Sequence, residues 1–203
     1  PLREVARPVG GEVGGEVGGA GRGLVDGAAR SDDPLALTAV QRWCMAHATH
    51  RPGHFAQWLL VAVPPELSTT LLASALEAVV SAHPALRLCF EADPAGWRQR
   101  VGAWTGSSAV QAWHWGDGPS EAFAPDGAAE AAADAALEVA VELAAESAVL
   151  IAAELDLARG PLLQLRLSPA VEGRRWLLMV AHHLIIDGVS WRIVLDDLIQ
   201  ACA

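Results

Sequence analysis

Two adjacent histidines with an aspartate shortly after them, His182-His183-Leu184-Ile185-Ile186-Asp187-Gly188, are the residues of this chain best suited to chemistry. Imidazole is the side chain whose ordinary pKa lies nearest neutrality, so a histidine held where a strand gives way to a helix is a candidate general base. Neighbours on a strand project to opposite faces, so one of the pair can face a site while the other faces the core or a backbone partner. The same divergence argues against a metal centre built from His182, His183 and Asp187, and no metal is expected. A Ser-His-Asp hydrolase fails because the chain has no Gly-x-Ser-x-Gly and no cysteine in an elbow-like turn. Asp187 stands at a helix start, where its carboxylate can accept backbone N–H bonds and meet the positive end of the helix dipole. Gly188 is expected to allow close backbone approach or a positive φ. Ser190 is expected to cap the helix, with a hydroxyl offered to substrate as the alternative. Trp191, at core spacing, is expected to pack, with stacking on substrate as the alternative.

These residues need elements to hold them. The apolar run from Trp176 to Ala181 reads as a strand leading into the histidines, and residues 162–167 alternate as its hairpin partner across a turn at Glu172-Gly173. After Gly188 the hydrophobic period becomes helical, with Trp191, Val194, Leu195, Leu198 and Cys202 on one face and Arg192, Asp196 and Gln200 opposite. Upstream, Thr38 and Gln41 have capping-box spacing and predict a helix from Thr38 to about Ala48. Residues 55–63 read as a strand stopped by Pro64-Pro65. Ser68 then caps a helix carrying Leu71, Leu72, Ala75, Leu76, Val79 and Val80 at amphipathic spacing, ended by Pro84. Residues 86–91 and 97–101 predict a hairpin about Ala95-Gly96, residues 110–115 a short strand, and residues 128–155 a long helix with room for one interruption. Gly160-Pro161 breaks the chain before the second hairpin. Residues 1–33 are glycine-rich and predict a linker or weakly ordered arm, because glycine loses most backbone entropy on ordering. No Gly-Lys-Ser/Thr follows them, so a phosphate loop is not expected. The folded unit is residues 34–203, of α/β class.

Composition narrows the partners. A chain of 203 residues that is 52% apolar can bury a sizeable core. A net charge of −10, from 24 acidic and 14 basic residues, argues against nucleic acid and for a protein or small-molecule partner. Cys44, Cys89 and Cys202 are odd in number, far apart and in apolar surroundings, as expected of buried reduced thiols in a cytoplasmic protein. No apolar window reaches the ~18 residues of a membrane span, and no signal-peptide core follows Arg3 and Arg7, so no membrane partner is expected.

In order and spacing, several stretches resemble the condensation and epimerization domains of nonribosomal peptide synthetases. The resemblance covers about residues 35–203. Its core is His182-His183-Leu184-Ile185-Ile186-Asp187-Gly188-Val189-Ser190-Trp191. It continues in Leu37-Thr38-Ala39-Val40-Gln41-Arg42-Trp43, in His83-Pro84-Ala85-Leu86-Arg87-Leu88-Cys89-Phe90, and in Asp156-Leu157-Ala158-Arg159-Gly160-Pro161-Leu162-Leu163. The Gln41-Arg42-Trp43 form, His54-Phe55-x-Gln57, and Val189-Ser190-Trp191-Arg192 after Asp187-Gly188 are most similar to the epimerization branch. Ala56 departs from the asparagine usual in that branch, which removes a substrate-facing polar contact.

The resemblance implies a chloramphenicol acetyltransferase-like fold, a mixed β-sheet covered by helices, in which two similar lobes form a V around a substrate tunnel. Only the N-terminal lobe would be present. A C-terminal lobe, absent here, would supply a glutamate opposite the histidine. The sequence stops inside its last helix, as at a fragment boundary, and the fragment by itself is expected to be inactive. His183 would be the catalytic residue, supported by an inward-turned His182 and by Gly188. Asp187 would pair with Arg87, with Arg166 as the competing partner. Ser190, His54 and Trp191 are the candidates for lining the tunnel. The implied reaction is epimerization of the α-carbon of an aminoacyl or peptidyl thioester delivered on the phosphopantetheine arm of a peptidyl carrier domain, with no cofactor bound directly. The alternatives are condensation, forming a peptide bond between carrier-bound substrates, and a non-catalytic scaffold of the same fold.

Overall fold

The computed structural model describes residues 35–47, 55–94, 96–104, 106–113, 129–170 and 174–203. The expectations for residues 1–33, for His54, and for the turns at Ala95 and at Glu172-Gly173 lie outside the described residues. The order of elements is α1 (Ala39–His47), β1 (Ala56–Val63), α2 (Thr69–Ala82), β2 (Leu88–Asp93), β3 (Gly96–Val101), β4 (Val110–Ala112), α3 (Ala129–Glu154), β5 (Leu163–Leu167), β6 (Arg175–His182) and α4 (Gly188–Ala201).

The centre of the fold is β6. It pairs antiparallel with β1 on one side and with β5 on the other, and β4 adds parallel to β5, so the sheet runs β1-β6-β5-β4 and is mixed. Leu177, Met179 and Ala181 join the core beneath α2 and α4, whereas Leu178 and Val180 join the cluster formed with Ala144, Ala148 and Ile151 of α3. A strand covered on both faces has no polar side to show, which is why the sequence from Trp176 to Ala181 is an unbroken apolar run. The expected α/β lobe, a mixed sheet covered by helices, is therefore the one observed. A separate antiparallel ribbon, β2 with β3, pairs Leu88 with Val101 and Asp93 with Gly96.

Local chemistry sets the element ends. The Thr38 amide donates to Gln41 Oε1 at 2.8 Å and the Gln41 amide donates to Thr38 Oγ1 at 3.2 Å, the reciprocal capping box that starts α1. Ser68 Oγ accepts from the Leu71 amide at 3.1 Å and starts α2. Of the expected stripe on α2, Leu72, Ala75, Leu76, Val79 and Val80 are buried, while Leu71 is exposed. The expected strand from residue 86 begins two residues late. Pro84–Arg87 is a 3-10 turn, because Pro84 presets a helical φ, and β2 starts at Leu88. Helix α3 runs through its described length without interruption. Cys44 and Cys89 are buried and Cys202 is half-buried, and all three are free thiols. No helix among the described residues is long and apolar enough to cross a membrane.

Candidate active site

The site is built where β6 ends and α4 begins. The His182 amide donates to the Leu162 carbonyl at 2.9 Å and the His183 amide to the Phe55 carbonyl at 2.6 Å, so the pair is tied to both neighbouring segments at the end of the sheet. Leu184, Ile185 and Ile186 are all buried, which pins the loop that follows. Gln41, itself buried, reaches back from α1 to donate its Nε2–H to the Leu184 carbonyl at 3.0 Å. A single glutamine thus closes the capping box of α1 and holds the histidine loop.

Alternation on β6 separates the two histidines. His182 follows the parity of Leu178 and Val180, towards α3, and is only 2% exposed. Its Nδ1 accepts from the Leu184 amide at 3.2 Å, so the neutral ring carries its proton on Nε2. His183 lies in the turn just beyond the strand and is half-buried. Its Nδ1 lies 2.8 Å from the Ile186 carbonyl, which can only accept, so Nδ1 carries a proton and, in the neutral ring, Nε2 holds the lone pair. The two rings therefore hold opposite tautomers. His183 Nε2 lies 3.3 Å from Nε2 of Gln57 on β1, and Gln57 Oε1 accepts from the indole N–H of Trp191 on α4 at 3.0 Å.

Asp187 is the N-cap of α4. Its Oδ1 accepts from the Val189 amide at 3.1 Å, from the Ser190 amide at 2.7 Å and from the Ser190 hydroxyl at 2.7 Å. The bonds from Ser190, backbone and side chain, hold its pKa below the ordinary carboxylate value, with smaller help from the Val189 amide and the neighbouring His183.

Several expectations for this site are corrected. Asp187 does not pair with Arg87: its bonded oxygen is taken by the start of its own helix, and Arg87 lies in the 3-10 turn with its Nε buried and unbonded, facing a small cavity with Trp104, Arg159 and Pro161. Arg166 is no substitute, because it follows the parity of Gln164 towards α3, donates to Gln164 Oε1 and to the Leu165 carbonyl, and is held below the ordinary arginine pKa by burial. Gly188 has neither a positive φ nor a crowded Cβ position, since nothing among the described residues lies within 4 Å of a Cβ there. Ser190 is not the cap, which is Asp187; it sits one turn in and donates its hydroxyl to that carboxylate. Trp191, by contrast, is 5% exposed and packs, as its spacing led one to expect.

Gln57 is the residue in contact with His183 to which sequence reasoning gave no role, although it stands in one of the stretches that carry the resemblance. The signal was present: in the strand sequence Ala56-Gln57-Trp58-Leu59-Leu60-Val61-Ala62-Val63 it is the sole polar residue. Its parity is that of Leu59 and Val63, on the face that α2 and α4 cover.

A mixed sheet ending in this histidine loop defines a class, and residues 31–203 match the Condensation domain family. The chain belongs to that family. It is 33% identical over 167 residues to a linear gramicidin synthase protein of Brevibacillus parabrevis, covering 81% of this chain and 2% of that protein. It is 29% identical to the NRPS-like tryptophan epimerase fscC of Fusarium equiseti, covering 83% of this chain and 10% of that protein. Among solved structures, the epimerization domain from the third module of tyrocidine synthetase B matches with a TM-score of 0.65 and 24% identity, over 90% of this chain and 36% of that one. The starter condensation domain of rhizomide synthetase matches with a TM-score of 0.60 and 18% identity, over 84% and 39%. These two likenesses establish the fold. The chain spans a small fraction of its curated relatives and little more than a third of the solved domains.

Proposed function

We propose that the chain is the N-terminal lobe of an epimerization domain and that His183 carries the α-proton of an aminoacyl or peptidyl thioester. The observation that carries this reading is the half-buried imidazole whose Nδ1 is committed to the Ile186 carbonyl, leaving the Nε2 lone pair as proton acceptor. A thioester acidifies the α-carbon more than an amide does. Removal of the α-proton by Nε2 breaks the C–H bond and leaves an enolate-like anion; return of a proton to the opposite face gives the D-epimer. The substrate would arrive on the phosphopantetheine arm of a peptidyl carrier domain, with residues 1–33 as the linker from it. A second lobe would close the tunnel and supply the opposing glutamate. His182, Asp187 and Gly188 would shape the loop, and Ser190 and His54 remain candidates for the tunnel wall. The setting would be cytoplasmic.

The run Val189-Ser190-Trp191-Arg192 and the similarity to a protein named as a tryptophan epimerase support epimerization. The competing reading, condensation, draws on the family to which the chain belongs; there His183 would position or deprotonate an acceptor amine. The test is α-proton exchange of a carrier-bound aminoacyl thioester in deuterated solvent, using a protein that contains both lobes. Epimerization requires exchange, and His183→Ala should reduce it by on the order of 10²–10⁴-fold. Amide formation without exchange would sink the proposal in favour of condensation. Binding of loaded carrier with neither activity would favour a scaffold.

A further inference from the structure

We propose that Gln57 and Trp191 are positioning residues that keep Nε2 of His183 free of a proton at rest. The inference follows from which atoms can only donate. An indole N–H has no acceptor capacity, so the Gln57 amide must turn Oε1 towards Trp191, 3.0 Å away. That orientation turns the Gln57 NH₂ towards His183 Nε2, 3.3 Å away, and an NH₂ likewise only donates. Nε2 must then be the acceptor and Nδ1 must carry the hydrogen. The Ile186 carbonyl, 2.8 Å from Nδ1, independently demands the hydrogen on Nδ1. Trp191 to Gln57 to His183 to Ile186 is one directed series of hydrogen bonds drawn from α4, β1 and the histidine loop.

The series has a consequence for the protonated ring. Once Nε2 gains a hydrogen it faces the hydrogens of an amide, and the contact turns repulsive. Rotating the amide would relieve it, but would turn the NH₂ against the indole N–H of Trp191, which is 5% exposed and so shut off from solvent that could replace the lost acceptor. Trp191 therefore acts as a latch on the amide, and the amide favours the neutral ring. Packing alone does not call for a glutamine here, since every other residue of β1 is apolar. Among the described residues, the charged and titratable surroundings are few. Asp187 is the carboxylate electrostatically coupled to His183; His182 follows the opposite parity towards α3; β1 contributes Gln57, α1 contributes Gln41 and α4 contributes Trp191, all uncharged.

This deepens the reading of His183 as the proton carrier, but its test needs no turnover, so the two can fail separately. The 203-residue chain, with ¹⁵N-labelled histidine, would be observed near neutral pH by long-range ¹H–¹⁵N correlation, with His183 identified by the signals lost in His183→Asn. The wild-type ring should show a protonated Nδ1 and an unprotonated Nε2. Gln57→Glu offers Nε2 an acceptor and should place a proton on it. Trp191→Phe releases the amide to rotate and should raise the Nε2-protonated fraction, less completely. A residue that merely packs would change stability without changing this pattern. A wild-type ring protonated at Nε2 overturns the proposal. So does a folded Trp191→Phe protein with the wild-type pattern, whether or not Gln57→Glu folds.

Discussion

Removing the Asp187 carboxylate distinguishes a helix cap from a buried ion pair by magnitude. In the structure Asp187 is exposed and its Oδ1 accepts three hydrogen bonds from residues 189 and 190. Loss of such a cap costs about 1 kcal/mol, within a range of roughly 0.5–2. Asp187→Ala should therefore lower the urea midpoint by roughly 0.3–1 M, taking m as about 1–3 kcal/mol/M. Asp187→Asn keeps an oxygen in place and loses only the charge–dipole part, about 0.3–1 kcal/mol and towards the low end for an exposed group. The pH dependence has a definite sign. Because the folded-state pKa is held below its ordinary value, the carboxylate's contribution is present above the ordinary aspartate range and fades as pH falls through the folded value. The gap between wild type and Asp187→Asn should accordingly narrow on acidification. Were Asp187 instead paired with Arg87, breaking a buried pair would cost about 3–5 kcal/mol, and the loss would couple to a change at Arg87. A loss of that size with Asp187→Ala, or strong non-additivity with Arg87→Met, would refute the cap assignment.

Gly188→Ala should be neutral or stabilising by up to about 1 kcal/mol in thermal unfolding, because the position has ordinary φ and open space for a methyl group; clear destabilisation would show that the loop is tighter than described. Gln41→Leu should cost about 1–3 kcal/mol, since it removes the oxygen that accepts from Thr38 and strands the buried Leu184 carbonyl. Hydrogen exchange should then rise first at residues 183–187, and uniform loosening of the whole sheet would count against a local tether.

The histidine loop shows how far sequence reasoning reached and where it stopped. Alternation along β6 put His182 and His183 in different surroundings from spacing alone, and the change of period after Gly188 marked α4, because both periodicities are set by local backbone geometry. The capping box at Thr38 and Gln41 was legible for the same reason: its partners are three residues apart. The Arg87 pairing was not recoverable in this way. It depended on where a 3-10 turn would leave a long side chain relative to a helix start far along the chain, and in the structure the carboxylate caps α4.

What the sequence determined by itself is the kind of each element and the residue types gathered at the end of β6, since those follow from patterns a few residues long. What only the tertiary structure decided is which groups meet there. Gln57 lies 126 positions from His183 and 134 from Trp191, and the direction of their hydrogen bonds exists only once β1, β6 and α4 have packed. A donor and an acceptor have no assigned roles along a chain. They acquire them when folding places an indole N–H, an amide and an imidazole in line and burial of the indole removes the water that would have satisfied it in some other way.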